Sequence, residues 1–322
     1  MSTRDAEQRP PTLLALTLAF ASIYLIWGST YLGIRIAVTT LPPFLMAAGR
    51  FALAGGFLYA LLRWRGVPAP TRRHWRDGAI VGTLLLLGGN GSVAWAEQFV
   101  PSGVTALIIG SSPLFMVLTE WAWPGGSRPG TGVLCALLLG LGGVAFLAAP
   151  WESGGETLHL GGVLAILAGC LSWSIGSIYS RHAPSMPNLF MASALQMLCG
   201  SVALLLMSAG LQEWRGFELG QVSRASWLAF AYLVVIGSLI GFSTFVWLLK
   251  HTTPARVSTY AYVNPVVAVF LGWMVLDEPI TTRTLIASAI IVTAVAIITT
   301  RQPKNKPRPM PVTPAQARSG QR

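Results

Sequence analysis

The chain has 322 residues, 53% of them hydrophobic and only 10% charged, with a mean hydropathy of +0.61. A soluble domain carries about 25% charged residues, so this composition excludes an ordinary water-soluble fold and makes a span of about 20 apolar residues the unit of counting. The net charge of +11 raises nucleic acid as a partner, but the placement of the charges, set out below, argues against it.

Backbone groups in hydrocarbon must be satisfied within their own segment, so long apolar runs there are helices. The sequence predicts an all-α membrane protein of ten helices, at 12–34, 43–63, 75–97, 101–121, 131–150, 160–180, 188–210, 226–250, 255–276 and 282–300. Residues 1–11 precede the first run. That run continues to Ile34 without a small-residue cleavage site, which marks an uncleaved helix and not a signal peptide. The connections are short and hold the breakers Pro42-Pro43, Pro68 to Pro70, Pro101, Pro124 to Pro129, Pro150, Pro184 to Pro187, Pro254 and Pro279. No connection is long enough to house a soluble catalytic domain. The segment 301–322 is basic, rich in proline and free of acids. It is expected to be a disordered cytoplasmic tail held near anionic lipid. It has neither the aromatic interleaving nor the fold that a nucleic-acid role needs.

Charge asymmetry sets the expected direction. With the N-terminus inside, the cytoplasmic segments hold 17 Lys and Arg; the outer segments hold 4, namely Arg35, Arg215, Arg224 and Arg283. Both termini are therefore expected in the cytoplasm of a cell whose inner (plasma) membrane the chain spans.

The sequence also repeats itself. Trp27-Gly28-Ser29-Thr30-Tyr31, with Arg35 eight residues after the Trp, is echoed by Trp173-Ser174-Ile175-Gly176-Ser177, with Arg181 eight residues after its Trp. Phe44-Leu45-Met46-Ala47 is echoed by Leu189-Phe190-Met191-Ala192, Trp95 by Trp247, and Pro101 and Pro113 by Pro254 and Pro265. The offset stays between 145 and 153. Each unit, 12–150 and 160–300, holds five helices. An odd number starts the second unit on the opposite side, so the two are inverted. Inverted repeats are a recurrent way to build alternating access around a midplane site.

Polar faces sharpen that reading. Tyr24, Trp27, Tyr31 and Arg35 fall within about 80° of one another on the first helix, and Cys170, Trp173, Ser177 and Arg181 do so on the sixth. Asn90 aligns with Glu97 on the third. Such stripes either pack helices together or wall a cavity, and polar groups at depth favour an interior face. Pro113 cannot donate to the carbonyl of Ile109, nor Pro265 to that of Ala261. Ser111 and Ser112, and Tyr260, Tyr262 and Asn264, stand beside the carbonyls so freed, either to line a cavity or to resolve a kink within the helix. Arg50 lies about 10 Å into the second helix and is expected to pair with Glu97, as a structural bridge or as a gate. Glu120 is expected at the inner interface.

Enzyme chemistry finds no support. His74, His159, His182 and His251 fall at helix ends or loops, there is no Gly-x-Ser-x-Gly elbow, and no acid lies in the central turns of any span. Cys135, Cys170 and Cys199 lack metal spacing, and the glycine clusters lack the strand and Lys of a nucleotide site. No cofactor or metal is expected.

These residues identify a resemblance. Ile26-Trp27-Gly28-Ser29-Thr30-Tyr31, Gly89-Asn90-Gly91, Val100-Pro101-Ser102-Gly103, the run Tyr260 to Val269 and Glu278-Pro279 resemble the EamA branch of the drug/metabolite transporter superfamily over about 12–300. The resemblance implies ten helices in two inverted repeats and a central cavity lined by helices 1, 3, 4, 6, 8 and 9. It implies small metabolites, amino acids or drugs as cargo, with Trp27, Asn90, Tyr260 and Asn264 as wall residues. One departure stands out: the first unit has Trp123-Pro124 where the second has Glu278-Pro279.

The expectation is a secondary carrier, an exporter working by alternating access. Trp27, Tyr31, Trp173 and Tyr260 would contact an amphipathic cargo, the Trp and Tyr rings by stacking or cation–π contact. Asn90, Ser111, Ser112 and Asn264 would orient it. Glu97 is the candidate for coupling to protons, with Arg50 as its gating partner. A passive facilitator, an intramembrane enzyme and a non-transporting receptor are the rivals. The partners are a small-molecule substrate, the bilayer and protons; a homodimer is left open.

Overall fold

The structure, a computed structural model, describes residues 12–126, 128–148, 158–183, 186, 188–252 and 260–301. The N-terminal segment 1–11, the tail beyond Arg301, the breakers Pro150, Pro184, Pro187 and Pro254, and the expected start of the ninth helix at 255–259 lie outside the described residues.

Among the described residues all regular structure is helical. In chain order the helices are α1 (Leu13–Ala37), α2 (Pro43–Trp64), α3 (Arg72–Gly82, Thr83–Gly91 and Ser92–Ala96 in succession), α4 (Ser102–Ile109 and Ser112–Ala122), α5 (Thr131–Ala148), α6 (Leu160–His182), α7 (Leu189–Gly210), α8 (Arg224–Tyr232, Leu233–Ile240 and Gly241–His251), α9 (Tyr260–Leu276) and α10 (Thr282–Arg301). Seven are long and apolar enough to cross a bilayer; shorter apolar helices lie at Thr131–Leu147, Val263–Leu276 and Thr282–Ile298.

The starts of these helices have local causes. The hydroxyl of Thr12 accepts the N–H of Ala15 at 3.2 Å, Asn188 Oδ1 accepts that of Met191 at 3.0 Å, and Ser223 accepts that of Ser226 at 3.0 Å. Thr71 and His74 cap α3 reciprocally. Among the helices whose caps are described, α2 follows Pro42 and α4 follows Pro101, and neither proline has a side chain to offer.

Two interruptions shape the interior. In α4 the chain breaks between Ile109 and Ser112, where Pro113 withholds its donor. The Ser111 hydroxyl donates to the carbonyl of Ile108 and the Ser112 hydroxyl to that of Ile109, each at 2.5 Å. The kink is therefore resolved within the helix. α9 carries Pro265 without breaking. The second interruption was not foreseen. Thr83–Gly91 of α3 and Leu233–Ile240 of α8 are π-helical, with hydrogen bonds reaching back five residues. They begin 150 residues apart, inside the repeat offset. Such stretches are rare and favour functional positions.

The helices of the two halves pack across one another. α1 lies against α8 and α9, α2 along α7, α3 against α6 and α7, and α4 against α6 and α9, while α5 and α10 pair at the side. Alternate connections gather at two ends. At one end Thr40 donates to Ser226 at 2.8 Å and Arg283 donates to the carbonyl of Phe146 at 3.0 Å. At the other the Tyr179 hydroxyl donates to Asp77 at 3.1 Å, and Arg181 meets Glu120 at 3.4 Å. Asp277 belongs to the first end and the stretch 63–76 to the second.

Candidate functional site

Trp27 of α1 is the centre of an aromatic group. Its ring centroid lies 4.9 Å from that of Tyr260, edge to face, 5.0 Å from Phe245 and 6.4 Å from Phe242. Edge-to-face and tilted contacts at these separations are the favoured aromatic geometries. Asn264, one turn along α9 from Tyr260, is buried. Its amide nitrogen donates to the backbone carbonyls of Tyr24 at 3.3 Å and Tyr260 at 3.2 Å, in the orientation that satisfies both ends of the amide. Trp27, Tyr260 and Asn264 thus meet on one seam of α1, α8 and α9.

The second group lies on α3, α4 and α6. Trp173 packs against Gly89, the neighbour of Asn90, whose own amide reaches the Leu85 carbonyl at 3.4 Å within the π stretch. The Ser112 hydroxyl is 3.4 Å from the sulfur of Cys170, tying α4 to α6. Ser111 is fully buried and its hydroxyl is used on Ile108. Tyr31 is packed among apolar side chains of α1, α3 and α8.

The two tryptophans sit in matched settings. A Cβ added at Gly241 would come 2.8 Å from Nε1 of Trp27, and one added at Gly89 would come 2.9 Å from Cε3 of Trp173. Contacts under 3.0 Å are not tolerated by real Cβ atoms, so glycine is required where each indole lies on the opposing helix. Trp27 on α8 and Trp173 on α3 are therefore the same contact made twice, each beside a π stretch. Nothing local in the sequence says which side chain Gly89 or Gly241 must clear.

The expected pair of Arg50 and Glu97 is not formed. Arg50 Nε donates to Ser238 Oγ at 2.8 Å, inside the π stretch of α8, and the guanidinium lies 4.8 Å from the Phe51 ring. Sequence depth placed both charges near the same end, but a neutral hydroxyl and an aromatic face satisfy the arginine. Glu97 closes α3 and is wholly buried. Neither carboxylate oxygen has a partner among the described residues. Its backbone carbonyl instead accepts from Arg35 of α1.

Three acids that sequence reasoning gave no site role prove structural. Glu278 Oε1 accepts the N–H of Ser102 at 2.8 Å and Oε2 that of Gly103 at 3.1 Å. Glu213 does the same for Phe44 at 3.2 Å and Leu45 at 2.8 Å. These remote carboxylates supply the caps that Pro101 and Pro42 cannot. In both cases a proline occupies the N-cap position, where it has no side-chain acceptor to offer. The third acid, Asp77, accepts from Arg76 and from Tyr179, joining α3 to α6.

Two cavities border these elements. One, of about 340 Å³, is walled by Arg35, Thr39, Asp277 and Glu278, with Ile36, Pro101, Leu276 and Pro279. The other, of about 350 Å³, lies along α1 and α9 between Leu25, Ser29, Val266 and Phe270. Neither is lined by Trp27, Asn90, Trp173, Tyr260 or Asn264.

Comparison with known proteins agrees with this architecture. The model of the EamA-like transporter family matches residues 13–149 and again 160–300. The inner membrane transporter YedA of Escherichia coli (strain K12), itself uncharacterized, is 37% identical over 289 residues, covering 89% of this chain and 91% of the relative. The uncharacterized transporter YvbV of Bacillus subtilis (strain 168) is 26% identical, covering 93% and 96%. A crystal structure 23% identical in sequence superposes with a TM-score of 0.60 over 88% of this chain and 97% of its own, a likeness of fold.

Proposed function

The chain belongs to the EamA-like transporter family, and on that premise we propose that this multi-pass inner-membrane transporter is a secondary carrier exporting small metabolites, amino acids or amphipathic drugs by alternating access. The observation that carries the reading is the doubled indole contact, Trp27 on Gly241 and Trp173 on Gly89. Two equivalent seams, one from each half of the chain, are what a rocking mechanism needs. The family model's two matches support a division into repeats at 12–150 and 160–300.

In this reading the charge bias puts the end holding Glu278 outside and the end holding Arg181 in the cytoplasm. The wall residues are packed on one another here, so room for cargo comes from parting a seam. Trp27, Tyr31, Trp173 and Tyr260 then present aromatic faces. Asn90, Ser111, Ser112 and Asn264 offer polar atoms once their present bonds are exchanged. Glu97 answers to protons, and Arg50 steadies α8 as that helix moves.

The test is flux from proteoliposomes loaded with a panel of amino acids and cationic dyes, with and without a pH gradient. Uphill movement of at least one solute under the gradient is expected. Retention of every solute by folded protein overturns the carrier reading, and flux indifferent to counter-gradients makes the protein a facilitator.

A further inference from the structure

We propose that Glu97 binds one proton at the outer seam, and that this proton allows the two halves to close there. The proposal rests on the orientation given above and adds the residues through which the proton acts.

The seam is unusually rich in buried oxygen. Glu97 is 0% exposed, and both carboxylate oxygens lack a partner among the described residues. The hydroxyls of Ser102 and Thr105 are equally buried and equally without one. Glu278 faces the same seam from the α9–α10 turn, its two oxygens committed to the start of α4. Among the described residues, the other charged or titratable groups around it are Arg35 and Tyr31 from α1, Asp277 beside Glu278, and His159 at the start of α6. Arg35 spends its guanidinium bond on the Glu97 backbone. His159 is stacked on Phe99 at 4.5 Å, and its Nδ1 accepts from Gly162.

An ionised Glu97 in this setting would be a fully buried negative charge with no donor of its own, near the half-buried carboxylate of Glu278. A buried charge left in that state is strongly destabilising. Two carboxylates at one site share a proton. Glu278 spends both oxygens on backbone N–H groups, whereas Glu97 has no donor at all among the described residues, so the proton is placed on Glu97. A proton needs no cavity of its own, and neither of the two cavities described above is lined by Glu97.

The proton arrives through the 340 Å³ vestibule, whose wall contains Glu278 and Arg35. Closure adds it to one Glu97 oxygen; opening returns the carboxylate to water. Outer closure therefore takes up one proton from the outer water and outer opening gives it back there, so the site governs when the seam can shut and by itself moves no net proton across the membrane.

Two readouts test this without any cargo. Infrared spectra of the purified full chain at neutral pH should show a carboxylic-acid carbonyl band that shifts in D₂O, vanishes in Glu97→Gln and moves in Glu97→Asp. A spectrum unchanged in both variants overturns the proposal. Second, a Thr105→Cys reporter should react with a small impermeant thiol reagent, over the background of the native cysteines, about tenfold more slowly when Glu97→Gln is added, because the neutral amide holds the seam shut. An equal or faster rate overturns it. A preparation that passes both tests yet moves no solute would reject the carrier reading and leave the proton site standing.

Discussion

The carboxylate of Glu278 accepts the backbone N–H of Ser102 at 2.8 Å, across 176 residues of sequence. The bond joins the turn after α9 to the first turn of α4, so it ties one half of the chain to the other at a single end. It exists because Pro101 leaves α4 uncapped. Loss of a helix cap costs about 0.5–2 kcal/mol. Glu278→Ala should lower stability in detergent by about that amount and should speed labelling of the Thr105→Cys reporter. Glu213→Ala removes the same kind of cap from α2 and should lower stability without exposing Thr105. Identical labelling in the two variants would show that Glu278 is a cap alone and no latch.

The indole contacts make a second prediction. Gly89→Ala and Gly241→Ala place a methyl group within 3.0 Å of Trp173 and Trp27 respectively. Overpacking of this kind costs about 1–3 kcal/mol, and it moves the rings that the proposed site uses. Both variants should lose stability and flux together. Gly142→Ala, with nothing within 4 Å of the added carbon, should change neither in the same assays.

Arg50 and Glu97 sit in separate environments, and a mutant cycle can show it. Sites without shared partners add to within about 0.3–0.5 kcal/mol. Arg50→Gln and Glu97→Gln should therefore be additive in chemical unfolding. Arg50→Gln and Ser238→Ala, which break one bond from either side, should not be. Coupling between Arg50 and Glu97 well above that limit would reinstate the ion pair that their sequence positions suggested.

That case marks where the sequence stops being legible. Helix positions could be read because apolar runs must be helical in lipid and prolines end them: α2 was expected at 43–63 and spans Pro43–Trp64, and α6 was expected at 160–180 and spans Leu160–His182. Trp27 lies on a polar stripe and Tyr260 stands beside the carbonyl freed by Pro265, the resemblance places both in one wall, and the two rings touch. The π stretches were hidden because an extra residue per turn leaves no mark in a run such as Thr83 to Gly91, where nearly every side chain is apolar or glycine. Remote caps were hidden for a different reason. Glu278 and Glu213 act on backbone groups far away in sequence, and nothing local says which helix start they will reach. Depth along a helix is a one-dimensional coordinate. It placed Arg50 and Glu97 at similar heights but could not give the angle that turns Arg50 toward α8.

The last prediction concerns the opposite end, where an ion pair and a buried hydrogen bond join the halves. Arg181 and Glu120 form an ion pair at 3.4 Å, with side chains 52% and 38% exposed. Pairs exposed to this degree contribute about 0–1 kcal/mol. The Tyr179 hydroxyl donates to Asp77 at 3.1 Å, and Asp77 is only 8% exposed. A hydrogen bond to a charged acceptor is worth about 1.5–3 kcal/mol. Tyr179→Phe, which deletes one oxygen and no charge, should therefore destabilise the chain more than Arg181→Gln, which abolishes a salt bridge. It should also raise hydrogen exchange in the last turns of α6, where Arg181→Gln leaves exchange near the parent rate. The reverse order would mean that the Arg181–Glu120 pair, and not the buried aspartate, holds α6 against the first half at this end.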